Sequence, residues 1–543
     1  MLVFNFKKNN EIMKYNTMKK ISFAALLGFF MLTVLASCED DVVELSPVDR
    51  LTDETVYSTP ERCEMAIIGM YDAAQSGYYK GNDARRGYPF GSASIIQSDM
   101  RGADMMNLAS FFLITYNNTI SMTSANNVSM WENSFAAINR ANVVMAGIEG
   151  AVAEGVLTAE KGNQYLGECL FIRALTYSNL MIHFCLPYGV AGNNNYGLPY
   201  YEKAINSQES TDESLQMDRS TVEATYAKIL TDLTKAEGLL PDVNPVNKIT
   251  RASKGAAIGI KTRLNLWKKD WKGVITEAKK MVTGTEMFAS PIGGYKLEGS
   301  PETPFASFAA NSESIFSIEN STDDNSTVNG SVGQMMSTRP GGRQLVAMSP
   351  ILYNSTWWLA NDLRRENLTL KASTGVVFAD KYQRPVDQDE FAPIIRYAEV
   401  LLNYAEAAIR EGDKALALSL LNAVRNRSLV DETDSYTSST FATDKDLLEA
   451  ILWERRIEFF AEGRRWEDIH RLINDPFFST SGIPAKTSPS KVKAENFGIG
   501  LPVGEELMLN QPIPYTDRRF LWPIPQDDII RNPTLAGQQN AGW

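Results

Sequence analysis

Ile394-Ile395-Arg396-Tyr397-Ala398-Glu399-Val400-Leu401-Leu402-Asn403-Tyr404-Ala405-Glu406-Ala407-Ala408-Ile409-Arg410 is followed by Glu411-Gly412-Asp413 and then by Lys414 to Arg425. In both flanks apolar residues recur every three or four positions, the mark of a helix with one buried face. Small residues, Ala405 and Ala408, stand where two helices must approach closely. The same design occurs upstream. Ser253 to Trp267 and Lys272 to Val282 read as two helices joined around Asp270-Trp271, with Ala256 and Ala257 at the small positions. A helix–turn–helix of about 34 residues with such alanines is the tetratricopeptide pattern. One pair cannot bury its apolar face alone, so pairs stack on one another into a continuous, curved scaffold. The fold class predicted is therefore mostly α.

Outward from these pairs, Ala66, Ile67, Met70, Tyr71 and Ala74 place a helix after Pro60, and Trp131, Phe135, Ile138, Ala141 and Val144 another over Met130 to Ile148. Gly162 to Phe184 follows and stops at Pro187; Thr221 to Leu240 is amphipathic, with Ser220 as N-cap and Pro241 as its end. The spacing predicts loop over Tyr78 to Gly102, 190–218, 284–392 and 475–543. The insert 284–392 is rich in Gly, Ser, Pro, Asn and Thr, and too long for a simple connection; such segments carry function.

The N-terminus reads as an address. Lys19-Lys20 precedes a 15-residue apolar stretch, Ile21 to Leu35, shorter than the ~20 residues that cross a bilayer. Leu35-Ala36-Ser37-Cys38 follows, small residues leading into a cysteine, as in a bacterial lipobox. On this reading residues 1–37 are a signal segment (1–17 an over-extended start), Cys38 carries lipid, 38–60 is a tether, and 61–543 is a single domain. The other reading is an ordinary secreted protein in which Cys38 falls there by chance. Removing 1–37, with five lysines and one glutamate, leaves 506 residues and moves the net charge from −12 to −16. So acidic a chain lacks the basic surface a nucleic-acid binder needs. With two histidines, four cysteines, no CxxC and no HExxH, nothing has the spacing of a structural zinc or zincin centre, and no metal or cofactor is expected. Cys169 and Cys185, in apolar helical surroundings, are expected to be buried free thiols.

Several segments resemble the SusD/RagB family of Bacteroidetes lipoproteins: Gly167-Glu168-Cys169-Leu170-Phe171-Ile172-Arg173-Ala174-Leu175-Thr176-Tyr177, Arg396 to Ala407, Glu454-Arg455-Arg456-Ile457-Glu458-Phe459 and Glu462-Gly463-Arg464-Arg465-Trp466-Glu467-Asp468. The tail adds Leu521-Trp522-Pro523-Ile524-Pro525, Asn532-Pro533 and Gln539-Asn540-Ala541-Gly542-Trp543. Cys169 stands where the family usually has a small residue. The resemblance implies four tetratricopeptide-like pairs with a loop-rich ligand-binding region packed on them. It also implies an outer-membrane, surface-facing location, and a SusC-like TonB-dependent transporter as partner. The implied role is capture of an oligosaccharide, or in some members a peptide.

The charges of the signature, Glu454 to Arg465, together with Arg173, Arg396 and Glu406, could pass for catalytic groups, since carboxylate pairs hydrolyse glycosides. Lying among Phe459, Phe460 and Trp466, they read instead as ion pairs that lock helices together. No catalytic residue is assigned, although a glycoside hydrolase on a helical frame stays as an alternative. Trp522 and Trp543 read as docking anchors. Sugars stack on exposed rings, and aromatics without helical periodicity lie in two loop regions. Tyr78, Tyr79, Tyr88 and Phe90 accompany Arg85 and Arg86; Tyr295, Phe305, Phe308, Trp357 and Trp358 lie in the insert. Tyr78, Tyr79, Arg85, Arg86, Tyr88, Phe90, Tyr295, Trp357 and Trp358 form the candidate ligand set, against the alternative that each packs locally.

Overall fold

A computed structural model describes residues 53–76, 87–190, 195–285, 288–327 and 329–543. Contacts divide the chain after Val56. The described part of the first unit is one helical turn, Asp53–Val56. In the second, Tyr57–Trp543, eleven longer helices among the described residues carry the architecture: α1 (Pro60–Ser76), α2 (Ser92–Arg101), α3 (Ala125–Ala153), α4 (Ala159–Phe184), α5 (Val222–Leu239), α6 (Lys254–Trp267), α7 (Trp271–Met281), α8 (Tyr397–Arg410), α9 (Lys414–Asn426), α10 (Asp444–Glu458) and α11 (Arg464–Arg471). None is long and apolar enough to cross a membrane.

Local chemistry fixes where these helices start. The side chains of Thr158, Thr221, Ser253, Asp270 and Asp413 each accept the backbone N–H three residues on. At α10, Thr443 and Asp446 cap each other reciprocally. Thr221, not Ser220, caps α5; the Ser220 hydroxyl lies within reach of the Leu198 carbonyl instead.

From α3 to α10 each helix packs on the next, and α1 packs on α3. The pairs α6–α7 and α8–α9 are joined by turns at Lys269 (φ 59°) and Gly412 (φ 87°), and α7 meets α8 between them. Ala256, Ala257, Ala405 and Ala408 are fully buried at these contacts. The fold is mostly α, built from tetratricopeptide-like pairs.

The structure differs from the sequence reading in several places. Ser92–Arg101, read as loop, is a helix buried on every side. Ile394–Arg396, read as the start of a helix, ends a strand. Within 190–218, Gln208–Ser214 forms a short helix. The insert also holds strands. Antiparallel pairs join β1 (Met105–Asn107) to β3 (Val346–Met348), β2 (Ser314–Ile318) to β6 (Ala392–Arg396), β4 (Thr369–Lys371) to β5 (Val377–Ala379), and β7 (Gly482–Ile483) to β8 (Ile513–Pro514). The pair β2–β6 is wholly buried, and β6 runs straight into α8. At Gly259 of α6 an added Cβ would lie 2.8 Å from Ile395 Cδ1, so the strand packs closely on the helix there and a larger residue would push the Ile395 side chain aside.

Candidate ligand-binding site

The charged signature is structural. Glu458 faces Arg364 (2.9 Å), Arg396 (2.8 Å) and Arg427 (2.7 Å). Glu313 also binds Arg396 and Arg427, and Glu462 binds Arg396 and Lys381. Arg455 and Arg471 share Asp468, and Arg471 reaches Glu406. Arg173 grips Asp232 through two hydrogen bonds of 2.7 and 2.8 Å. Burial opposes ionisation of Glu458, but the three guanidiniums outweigh it and hold its carboxyl below the usual range. Burial pushes Lys381 down to about 8. These groups pair with one another inside the protein.

A cleft of about 400 Å³ opens against one face of α1. Glu64, Ile68, Tyr71, Asp72 and Gln75, three or four residues apart on one helix face, form one wall. The α5–α6 connection supplies Asn247, Thr250 and Arg251, and the chain after β2 supplies Glu319 and Asp324. Ile68 (52% exposed) and Val246 (57% exposed) frame the mouth with apolar surface. Below them the polar groups are held in place. Arg251 joins Glu64 (2.5 Å) to Glu168 (2.6 Å), and the Tyr71 hydroxyl donates to Glu168 at 2.8 Å. Thr250 donates to Glu319 at 2.7 Å. Burial disfavours charge on Glu64, yet hydrogen bonds from Arg251 and Tyr165 and the charges of Arg251 and Lys161 prevail and keep its carboxyl below the ordinary value. Burial first, then the Glu168 charge, pushes the Tyr71 phenol well up. Such a cleft offers fixed acceptors and apolar edges, the complement of a polyhydroxylated ring.

The roots of the two loop regions meet beside it. At the end of α1, Gln75 donates to the Glu319 carbonyl (2.8 Å), and Ser326 donates to the Gln75 carbonyl (3.0 Å). Where the described chain resumes, the Ser92 N–H donates to the Gly330 carbonyl (2.9 Å). Gly87 (φ 70°) lies so close to Gly330 that an added Cβ would come within 2.7 Å of its Cα.

Of the candidate ligand residues, Tyr78, Tyr79, Arg85 and Arg86, like Cys38, lie outside the described residues. Four others are corrected: Tyr88 (0% exposed), Phe90 (5%), Tyr295 (0%) and Trp358 (0%) are core residues and present no face to a ligand. Tyr88 accepts a hydrogen bond from Gln97, Tyr295 pairs with Ser253, and Trp358 packs on Phe460 and under Arg365. All four rings belong to the continuous core that the scaffold helices share with the segments packed on them. Trp357 is half-buried and lies parallel to Trp453 (13°, centroids 6.4 Å apart), with Arg456 4.1 Å from the Trp453 ring. Sequence reasoning missed Glu64, Asp72, Asn247 and Glu319; polar residues on one helix face read as solvated surface, and only the fold reveals the opposing wall. Trp522 is buried, stacked on His183 at 4.7 Å, and Cys63, Cys169 and Cys185 are buried free thiols.

The family profile described as "SusD family" matches residues 371–543, and the profile described as "Starch-binding associating with outer membrane" matches 54–266. SusD-like protein P38 of Formosa agariphila is 24% identical over 507 residues, covering 83% of this chain and 91% of the relative. A SusD superfamily protein of Bacteroides fragilis superposes with TM-score 0.71 at 28% identity, over 88% of this chain and 99% of its own. A laminarin-binding SusD-like protein superposes with TM-score 0.64 at 20% identity, over 90% and 100%. With stacked helix pairs, an ion-paired signature and family profiles matched towards both ends, the chain belongs to the SusD/RagB family.

Proposed function

We propose that this chain captures an oligosaccharide at the outer surface of the cell and passes it to a SusC-like TonB-dependent transporter, without performing chemistry on it. The observation that carries the reading is the joining of both loop regions at the rim of one polar cleft with apolar edges. Tyr78, Tyr79, Arg85 and Arg86 belong to the site on this reading, and Trp357 is a further contact. The profile described as starch-binding and outer-membrane-associated, and solved relatives described as laminarin-binding and carbohydrate-binding, support a glycan ligand. A glycosidase acid needs a raised carboxyl pKa, whereas Glu64 is tied to Arg251 and lowered. Lipid on Cys38 would hold the protein at the outer membrane, since several acyl chains anchor stably where one does not.

Calorimetry of the mature chain with neutral glycans, laminarin among them, and with peptides tests the reading. Saturable glycan binding is expected, weakened by roughly 1–3 kcal/mol in Tyr78→Ala or Tyr79→Ala with the unfolding midpoint unchanged. Saturable heat with peptides alone would favour the peptide-capturing kind of complex, and release of new reducing ends would show an enzyme.

A further inference from the structure

Nine tryptophans stand in the chain, and most of them fill the core. Trp131, Trp267, Trp358, Trp466 and Trp522 are buried. Trp267 and Trp358 enclose even their ring nitrogens, and Trp466 donates its N–H to the Ile182 carbonyl at 2.8 Å. Trp271 lies under Arg410 at 4.5 Å, and Trp543 shares its N–H between the carbonyls of Arg518 and Leu521, both at 3.0 Å. Trp357 and Trp453 differ in being half-buried together. Their rings are parallel to within 13° with centroids 6.4 Å apart, an offset pair in which neither ring covers the other fully. Neither ring nitrogen is buried, and neither donates to another group among the described residues.

Both rings are held in place. The Arg456 guanidinium, one turn on from Trp453 along α10, sits 4.1 Å from its ring and is clasped by Asp104 through two hydrogen bonds. The turn that carries Trp357 is pinned by Asn354, whose side chain donates to the carbonyls of Asn496 (2.8 Å) and Leu501 (3.2 Å) and accepts the Gly498 N–H (3.0 Å). On that loop Ile499 and Leu501 are each 43% exposed, and Gly500 approaches Thr356, the neighbour of Trp357. Indole faces take the C–H faces of a pyranose, and N–H groups at the surface can serve its hydroxyls. Rings already fixed lose little freedom when a ligand settles on them. The charge of Arg456 is answered by Asp104, so the cation beside the rings does not select an anionic ligand. None of these residues lines the cleft, whose walls come from α1, the α5–α6 connection and the chain after β2. We propose that Trp357 and Trp453 form a second glycan platform, apart from the cleft, that takes a further stretch of a neutral polysaccharide. The inference depends on the capture reading and narrows its ligand to a polymer.

Calorimetry of the mature chain tests this by comparing laminarin with laminaritriose and soluble starch with maltotriose. Trp357→Ala and Trp453→Ala are each expected to weaken binding of the polymer roughly fivefold. The trisaccharide affinity, which also reports correct folding, should stay unchanged. Trp357→Phe keeps a ring and should recover most of the loss. The parent chain supplies a measurement that needs no variant: the polymer should protect Trp357 and Trp453 from oxidation by N-bromosuccinimide, located by peptide mass spectrometry, and the trisaccharide should not. Unchanged polymer affinity in both alanine variants, or oxidation of both rings at the same rate with and without polymer, would overturn the platform and leave the cleft standing. Equal losses for polymer and trisaccharide would also overturn it, because the rings would then belong to the cleft. A parent chain that binds none of the four glycans would sink the capture of a neutral glycan, and the platform with it.

Discussion

Glu458→Gln keeps the shape of the side chain and removes its charge, so it measures what the buried ion lattice contributes. The carboxylate is 3% exposed and touches Arg364, Arg396 and Arg427 at 2.7–2.9 Å. Removing one member of a buried ion pair costs about 3–5 kcal/mol. Here each arginine keeps another carboxylate: Arg364 has Asp362 (2.8 Å) and Glu454 (2.6 Å), Arg396 has Glu462 (2.8 Å), and both Arg396 and Arg427 have Glu313. No cation is stranded, so the loss should fall at the low end, about 3 kcal/mol. The sign with pH follows from the lowered carboxyl pKa of Glu458. Its contribution is complete above the unfolded-chain value of about 4.3 and fades as pH falls towards the folded value. Urea unfolding of the mature chain at pH 7 should therefore show a clear drop in midpoint for the variant, and the gap between the two proteins should begin to narrow only as the pH falls below about 4.3. A variant within 0.5 kcal/mol of the parent at pH 7 would refute the reasoning, because the lattice would then only break even against its desolvation.

Trp522→Ala should destabilise the fold by about 3–5 kcal/mol in the same assay, since the ring stacks on His183 and meets Phe184 edge-on at 5.9 Å. Gly463→Ala should cost about 1–3 kcal/mol: φ is 76° there, and the new Cβ would stand 3.1 Å from the Ile95 carbonyl oxygen. A thiol reagent at neutral pH should leave Cys63, Cys169 and Cys185 unmodified until the chain unfolds; all three are buried, and burial pushes Cys185 up to about 11. Cys38→Ala should move the protein from the membrane fraction to the soluble one on cell fractionation, and retention in the membrane would remove lipid from the account.

Helices α7 and α9 are legible because each hides one stripe and exposes the other; α6 and α8 are buried at nearly every position and are legible from the long apolar spacing and the small residues that repeat in both pairs. Ser92–Arg101 has neither mark. Every residue of it is buried, Gln97, Asp99 and Arg101 included, so no polar face alternates with an apolar one. Ile394–Arg396 is a short apolar run, for which strand and helix give the same pattern. The signature charges were readable as internal pairs from the aromatic residues around them. The ligand aromatics were the weakest reading, because a ring in an irregular segment looks the same whether it meets a sugar or fills the joint between insert and scaffold. Tyr295 and Trp358 do the latter.

Glu313, Asp362, Arg364 and Lys381 come from the insert, whereas Arg396, Arg427, Glu454, Glu458 and Glu462 come from the C-terminal helix pairs and the segments joining them. The four insert charges sum to zero, but apart from the Asp362–Arg364 pair their partners lie on the other side of the joint. The insert is thus no exchangeable cassette: excising it, or grafting it onto another helical frame, would leave ions facing hydrocarbon.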